Sequence, residues 1–410
     1  MSILVISLCS IAAPRTYYIK PDDSGDAPTI AAALDSTVRG DTVLVAPGIY
    51  HLNVAMVDGV VLLGEEGRED TGLRPLTHGP MIRCTDLTPG TVIQGFSFER
   101  GQADFGGAIN CVRSAVAILN NSFSVNHALN DGGAIACSLS AGEGNLLIEG
   151  NVFRHNRANG WAGGIFCTRC SPVIRGNTLT HCSAKYGAAI GCVDSSAPLI
   201  SRNVIELNSC MASGGGIHVN HHSSPVIEGN IIRENSADGT GGGIYIARSV
   251  FDIRGNLFHR NKGEYGSGLN VAFGSKGLCE SNTFWGHRAT AIRCKGGSTL
   301  EVYRCIIAGS PREPAVHCGD GSTVKLTCND LWSNDTDYSG CEPGIGDYSE
   351  DPLFCDIAVG NFMLQECSPC IDRDGCGRIG AYGSDCPCGG TPQHRDTVPR
   401  PSRYTSENPG

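Results

Sequence analysis

The sequence lacks any apolar run of the roughly 18 residues that a membrane-spanning helix needs. It also lacks a basic cluster. Its 31 Lys and Arg are outnumbered by 41 Asp and Glu, which argues against a nucleic-acid groove. Aromatic residues make up only 6% and charged residues 18%, with 3 Trp and 5 Met. The phosphate loop, Gly-x-Ser-x-Gly and His-Glu-x-x-His are all missing, so none of those chemistries is signalled. Proline is modest at 20 and glycine has no every-third period, which excludes collagen. Hydrophobic content of 40% is too high for a disordered chain.

What is abundant is glycine, 55 of 410 residues, and cysteine, 21. The usual glycine share is about 7%. Residues 1–14 read as a leader. Ile3 to Ala13 is a short apolar region, and Ala12-Ala13-Pro14 offers a cleavage zone. No basic stretch precedes it, so the start reads as truncated. Removing Cys9 leaves 20 cysteines, an even number that fits an oxidising, extracytoplasmic location. The competing reading is a cytosolic protein with buried free thiols.

Self-similarity decides the fold. Gly106-Gly107-Ala108-Ile109 recurs at Gly132-Gly133-Ala134-Ile135, Ala162-Gly163-Gly164-Ile165, Gly187-Ala188-Ala189-Ile190, Gly214-Gly215-Gly216-Ile217 and Gly241-Gly242-Gly243-Ile244. An early copy ends at Ile82, and weaker ones end at Leu269, Ile292 and Val316. Successive anchors are 27, 26, 30, 25, 27, 27, 25, 23 and 24 residues apart. An asparagine column keeps the same period: Asn121, Asn151, Asn177, Asn203, Asn230, Asn256 and Asn282. A second Asn follows five residues later in most copies. Three residues before the first Asn the chain is apolar: Ile118, Ile148, Ile174, Ile200, Ile227, Ile253 and Cys279.

Each repeat thus holds three short runs of alternating apolar residues, the period of strands. Gly and Asn punctuate them because turns need positive φ or local side-chain bonding. Three strands in about 26 residues describe one coil of a parallel β-helix; propeller blades and tetratricopeptide units are longer. The expected fold is all-β, a single-stranded right-handed parallel β-helix of ten or more coils with an N-terminal helix cap. Ten coils spaced by about 4.8 Å give a rod on the order of 50 Å. The expected divisions are a cap and first coils at 15–80, repeats at 81–345, a Cys-rich closing module at 346–388 and a disordered tail at 389–410. Stacked Asn amides can bond one another, so that column is structural.

Two residues after each anchor stand Cys84, Cys111, Cys137, Cys167, Cys192, Val219, Ile246, Val271, Cys294 and Cys318. The exchange of Cys with Val and Ile marks an inward column. Buried thiols are one reading; disulfides between adjacent coils are another, since the coil spacing lies inside the Cα range of a disulfide. A linear ladder does not make a tetrahedron, so no metal and no cofactor is expected. In the closing stretch, Cys367-Ser368-Pro369-Cys370 and Cys386-Pro387-Cys388 read as disulfide staples rather than metal ligands.

Three segments carry family resemblances. Pro28-Thr29-Ile30 through Pro47-Gly48-Ile49-Tyr50 resembles the N-terminal cap of pectate-lyase-like right-handed parallel β-helix proteins. The Gly-Gly-Ala-Ile and Phe-x-x-Asn repeats, as at Phe123 to Asn126, resemble those of chlamydial polymorphic outer-membrane proteins. Asp351-Pro352-Leu353-Phe354, Ser368-Pro369-Cys370-Ile371-Asp372 and Gly380-Ala381-Tyr382-Gly383 resemble the closing module of secreted bacterial choice-of-anchor proteins. The resemblance implies the fold; the fold hosts lyases, hydrolases, esterases and adhesins alike.

No catalytic residue stands out. His51 occupies the position of the Glu in the Gly-x-Tyr-x-Glu of pectin methylesterases, and the repeat strands carry few carboxylates for acid–base or calcium chemistry. The residue after each anchor is expected to face solvent. Along that row His218, Tyr245, Asn270, Arg293 and His317 form a polar and aromatic strip, suited to a polysaccharide or cell-surface glycan laid along the rod. The resemblance implies that this strand carries the substrate cleft in pectate-lyase-like enzymes. A second row, Arg154-His155, Thr180-His181, Glu206-Leu207, Arg233-Glu234 and His259-Arg260, reads as a solvated face. The sequence therefore favours a secreted or surface-associated bacterial binding scaffold, with no nucleic-acid partner and no assigned oligomeric state. The alternative is a polysaccharide lyase or glycoside hydrolase.

Overall fold

The computed structural model describes residues 13–139 and 146–389. Most of the expected leader and nearly all of the expected tail lie outside the described residues. The chain is a parallel β-solenoid of about twelve coils. Three long sheets run its length, with 13, 12 and 12 strands, and nearly every strand pairs with its counterparts one coil before and after. The Ile sheet runs from Thr16–Ile19 to Thr323–Thr327 and holds the apolar column before the first Asn. The Asn sheet runs from Gly48–Leu52 to Asp330–Trp332. The anchor sheet runs from Val54–Ala55 to Thr336–Ser339. Ile109, Ile135, Ile165, Ile190, Ile217 and Ile244 stack in exact register.

A fourth sheet was not legible as a strand. Six short strands, from Gln102–Phe105 to Ser236–Ala237, follow the second Asn and form a side sheet. Their inward column is small: Ala103, Ala128, Ala158, Ala184, Cys210 and Ala237 are buried. Small residues are required because the strand lies against the backbone of the Gly-Gly turn. A Cβ on Gly163 would stand 2.6 Å from Ser183 O and 2.8 Å from Ser183 N. The side sheet stops after Lys262, where the repeats shorten. There the hydroxyl of Ser267 bonds both Gly263 N and Gly263 O at 3.3 Å, which closes the sheet edge.

The interior is one continuous apolar column. Phe98, Phe123 and Phe153 stack at 4.9 and 4.8 Å, and Phe258 on Phe284 at 4.4 Å. A helix, Ile30–Ser36, starts on a Thr29 hydroxyl that accepts from Ala32 N, and sends Ile30, Ala33 and Leu34 into the same core. The inward cysteines, from Cys84 to Cys318, are unpaired, and nearly all of them fully buried. The hydrogen bond to the neighbouring Cys111 thiol, and after it burial, push Cys84 and Cys137 up, so they stay protonated and act as small hydrophobes.

The Asn column forms a directed chain. Asn177 N and Nδ2 donate to Asn203 Oδ1 at 2.9 and 3.0 Å, and Asn203 Nδ2 donates to Ile174 O and to Asn230 Oδ1. The same pattern links Asn121, Asn151, Asn177, Asn203, Asn230, Asn256 and Asn282. After a break at Cys305, Asn329 N and Nδ2 donate to Asp347 Oδ1 at 2.8 and 2.9 Å. Asp347 Oδ2 accepts from Tyr338 OH and Gly344 N. The final position thus needs only acceptors, and a carboxylate supplies them.

Residues beyond 344 fold back onto the outer side of the Asn sheet. A three-stranded sheet, Phe354–Asp356, Asn361–Gln365 and Ser384–Cys386, brings Phe354 and Phe362 against Trp285. Disulfides join Cys328 to Cys376, Cys355 to Cys386 and Cys367 to Cys388, while Cys370 stays a buried thiol. The reading of the second row as a solvated face is corrected for its buried members Thr180, Glu206 and His259, while Arg154, His155, His181, Leu207, Glu234 and Arg260 stay exposed. His259 is buried against Phe362, at 4.9 Å between rings, and Glu206 is buried beneath its ion pair with Arg233.

Candidate functional site

The row after the anchor is continuous. Phe166, Gly191, His218, Tyr245, Asn270, Arg293 and His317 are direct neighbours on successive strands. The expectation that the row faces solvent is corrected for Phe166, Gly191, His218, Tyr245 and Asn270, which are buried. His218 is 2% exposed, Tyr245 8% and Asn270 0%. The cover is the end of the side sheet, whose last residues form a second column beside the first. Tyr186 neighbours Trp161 and Ser213, and Thr240 neighbours Ser213 and Tyr265.

Glycine makes the two columns fit. Gly187 and Gly214 adopt positive φ, 59° and 75°, and a Cβ on either would stand 2.9 or 2.8 Å from the Cβ of His218. Gly191 leaves the row empty where Trp161 leans in: a Cβ there would be 3.6 Å from that of Trp161. Trp161 and Tyr186 stack at 4.7 Å, and the His218 ring meets Trp161 edge-on at 4.5 Å. On its other side His218 lies 4.7 Å from the Tyr245 ring. His218 therefore props an aromatic platform from behind, and Trp161 and Tyr186 remain half-buried at the surface.

The imidazole is neutral. Its Nδ1 lies 3.0 Å from Ser213 O, which can only accept, so Nδ1 carries the hydrogen. Burial lowers its pKa to about 4, against a smaller opposing effect of the Ser213 carbonyl. Nε2 is buried without a partner, and so are both amide atoms of Asn270. Buried polar atoms of this kind call for a hydroxyl or water in contact.

A second platform lies three strands further along. Tyr265 is 41% exposed, and the Arg293 guanidinium lies 4.5 Å from its ring centre. His317 Nδ1 lies 3.2 Å from Ser339 Oγ, and burial and then the Arg293 charge lower its pKa. Between the platforms, the second column presents the hydroxyl residues Ser213 and Thr240. At about 4.8 Å per coil the platforms are roughly 14 Å apart. The nearest carboxyl group in this column, Asp131, is engaged: its Oδ1 accepts from Trp161 N at 2.8 Å, and burial raises its pKa. Among the described residues no group of three or more His, Cys, Asp or Glu is placed to hold a metal ion.

Sequence reasoning put His218, Tyr245, Asn270, Arg293 and His317 in one row but missed Trp161, Tyr186 and Tyr265. The signal was there: the residue just before each Gly-Gly turn, Phe105, Asp131, Trp161, Tyr186, Ser213, Thr240 and Tyr265, is a column of the same period.

No curated protein sequence matches the chain. Among solved structures, the chain is similar to an alginate lyase of polysaccharide lyase family 6, with 16% identity and a TM-score of 0.45. That likeness covers 96% of this chain but 59% of the lyase, so the chain spans a little over half its length. It is also similar to the A-module of a mannuronan C-5 epimerase from Azotobacter vinelandii, with 13% identity, 78% and 93% coverage and a TM-score of 0.33. A pectate lyase gives 13% identity, 92% and 98% coverage and a TM-score of 0.34. The family described as right handed beta helix region matches residues 87–240 and 190–345, more than half of the chain. The repeats, the stacked coils and this match together make the chain a member of the right-handed beta helix region family.

Proposed function

We propose that the protein is a secreted or surface-associated scaffold that binds a linear glycan along its axis, on the strip between Trp161 and His317. The observation that carries this reading is the pairing of two surface aromatic platforms, Trp161 with Tyr186 and Tyr265 with Arg293, in one column three strands apart. Aromatic faces stack on sugar rings. Hydroxyls and guanidinium groups bond sugar hydroxyls, and Thr240 and Arg293 are partly exposed examples in the strip. The roughly 14 Å between platforms corresponds to about three sugars in an extended chain. The three disulfides of the C-terminal segment support an oxidising, extracytoplasmic location.

The test is a glycan array followed by calorimetry on oligosaccharides of increasing length. Affinity is expected to rise at least tenfold once a ligand is long enough to reach both platforms. Trp161→Ala or Tyr265→Ala should abolish that gain and leave only short-ligand affinity. Unchanged binding in both variants overturns the reading. Release of unsaturated or reducing-end products, lost in Arg293→Ala, would replace it with the lyase or hydrolase alternative.

A further inference from the structure

The seam between the rod and its C-terminal segment contains a carboxyl group that, among the described residues, has no ion-pair partner. Asp330 lies in the outer row of the Asn sheet, beside Ile306, and is 0% exposed. Two contacts define the setting of its carboxyl, both from the folded-back segment. Oδ1 accepts from Glu350 N at 3.1 Å. Oδ2 lies 3.3 Å from Cys370 Sγ, which is itself 3.2 Å from Tyr348 OH. The nearby cation Arg373 is turned elsewhere: it bonds Glu350 at 2.7 Å and lies 3.9 Å from the centre of the Tyr348 ring. Around them Trp285, Trp332, Phe354, Leu364, Cys376 and Ile379 keep the seam apolar.

We infer that this seam is a proton-dependent latch: the C-terminal segment is firmly seated while the Asp330 carboxyl is neutral, and it loosens as that carboxyl ionises. In the seated state Tyr348 OH donates to Cys370 Sγ, which in turn donates to Oδ2, and Glu350 N donates to Oδ1. Ionisation would leave a charge in an apolar seam facing the Glu350 carboxylate, with Cys370 and Tyr348 as its remaining neighbours. The Cys328–Cys376 disulfide begins two residues from Asp330 and keeps the segment attached, so the opening is local and reversible.

The sign follows from linkage. Burial raises the Asp330 pKa to about 7, against smaller opposing effects of the Glu350 backbone bond and of Cys370. An exposed carboxyl titrates near 4. The seated state therefore holds its proton more tightly than the open one. The opening constant rises about tenfold per pH unit from about 4 toward 7, then levels off.

Hydrogen exchange of the full chain tests this between pH 5 and 8, after correction for the intrinsic pH dependence of exchange. Protection of residues 361–365 should fall about tenfold per unit up to pH 7 and then stay constant. Protection of residues 199–206 in the rod should not follow it. In Asp330→Asn, the fall at 361–365 should vanish while the fold remains. A flat wild-type profile overturns the latch. So does a profile that rises with pH.

Discussion

At the scale of single residues, the chain is held together by polar groups that have only one acceptable occupant. Asn203 is both donor and acceptor within one buried rung. Alanine there strands Asn177 N and Ile174 O in the interior, while Asn230 Oδ1 keeps the backbone N–H of residue 203. Each orphan costs about 1–3 kcal/mol, so Asn203→Ala should lower stability by about 3–5 kcal/mol in urea titrations. Asp347 makes the opposite case. Its two oxygens accept from four donors, and Asp347→Asn turns one acceptor into a donor facing other donors. A loss of about 1–2 kcal/mol by the same titration is expected. The ladder was legible in the sequence because an Asn at fixed period has few other uses. The terminal Asp was not legible, since the shortened last coil breaks the period.

At the scale of strands and turns, position rather than residue type fixes the backbone. The turn before the second Asn is left-handed at Arg100, Val125, His155, His181, Leu207, Glu234 and Arg260, none of them glycine. Val125 is the most strained occupant, β-branched at φ 57° and 55% exposed. Val125→Gly should raise the denaturation midpoint, by about 1 kcal/mol after the entropy of the freer unfolded chain is subtracted. Gly163→Ala should do the reverse, by more than about 2 kcal/mol, because its Cβ would collide with the Ser183 backbone. The three long sheets were readable from alternating apolar residues. The side sheet was not, because its strands are short and its inner column is alanine, which carries little periodic signal. The same blindness hid the aromatic platform, since Trp161 and Tyr186 end those strands. The row from His218 to His317 was readable as a register. Its burial was not, because the cover comes from that unread sheet.

At the scale of the whole molecule, buried histidines set the response to acid. His218 and His287 are buried and neutral, each with a pKa lowered to about 4, mainly by burial. The unfolded chain takes up protons near pH 6.5 while the folded chain refuses them, so stability is full above that value and is lost as pH falls toward 4. The loss is on the order of 3 kcal/mol per histidine. His287 stands where earlier coils carry Asn235 and Asn261, so His287→Asn should flatten part of the acid limb in denaturation curves at pH 4 to 7. The solenoid also has a direction that its sheets alone do not reveal. From Asn121 to Asn256 each side-chain amide hands one hydrogen to the next Asn toward the C-terminus, and beyond the break at Cys305 the last receiver, Asp347, has none to pass on. A further coil set beyond that point would meet no donor, whereas a duplicated coil inserted anywhere between Asn121 and Asn282 would find a donor on one side and an acceptor on the other. A lineage of such rods can therefore lengthen by internal duplication but not by accretion at its closed end.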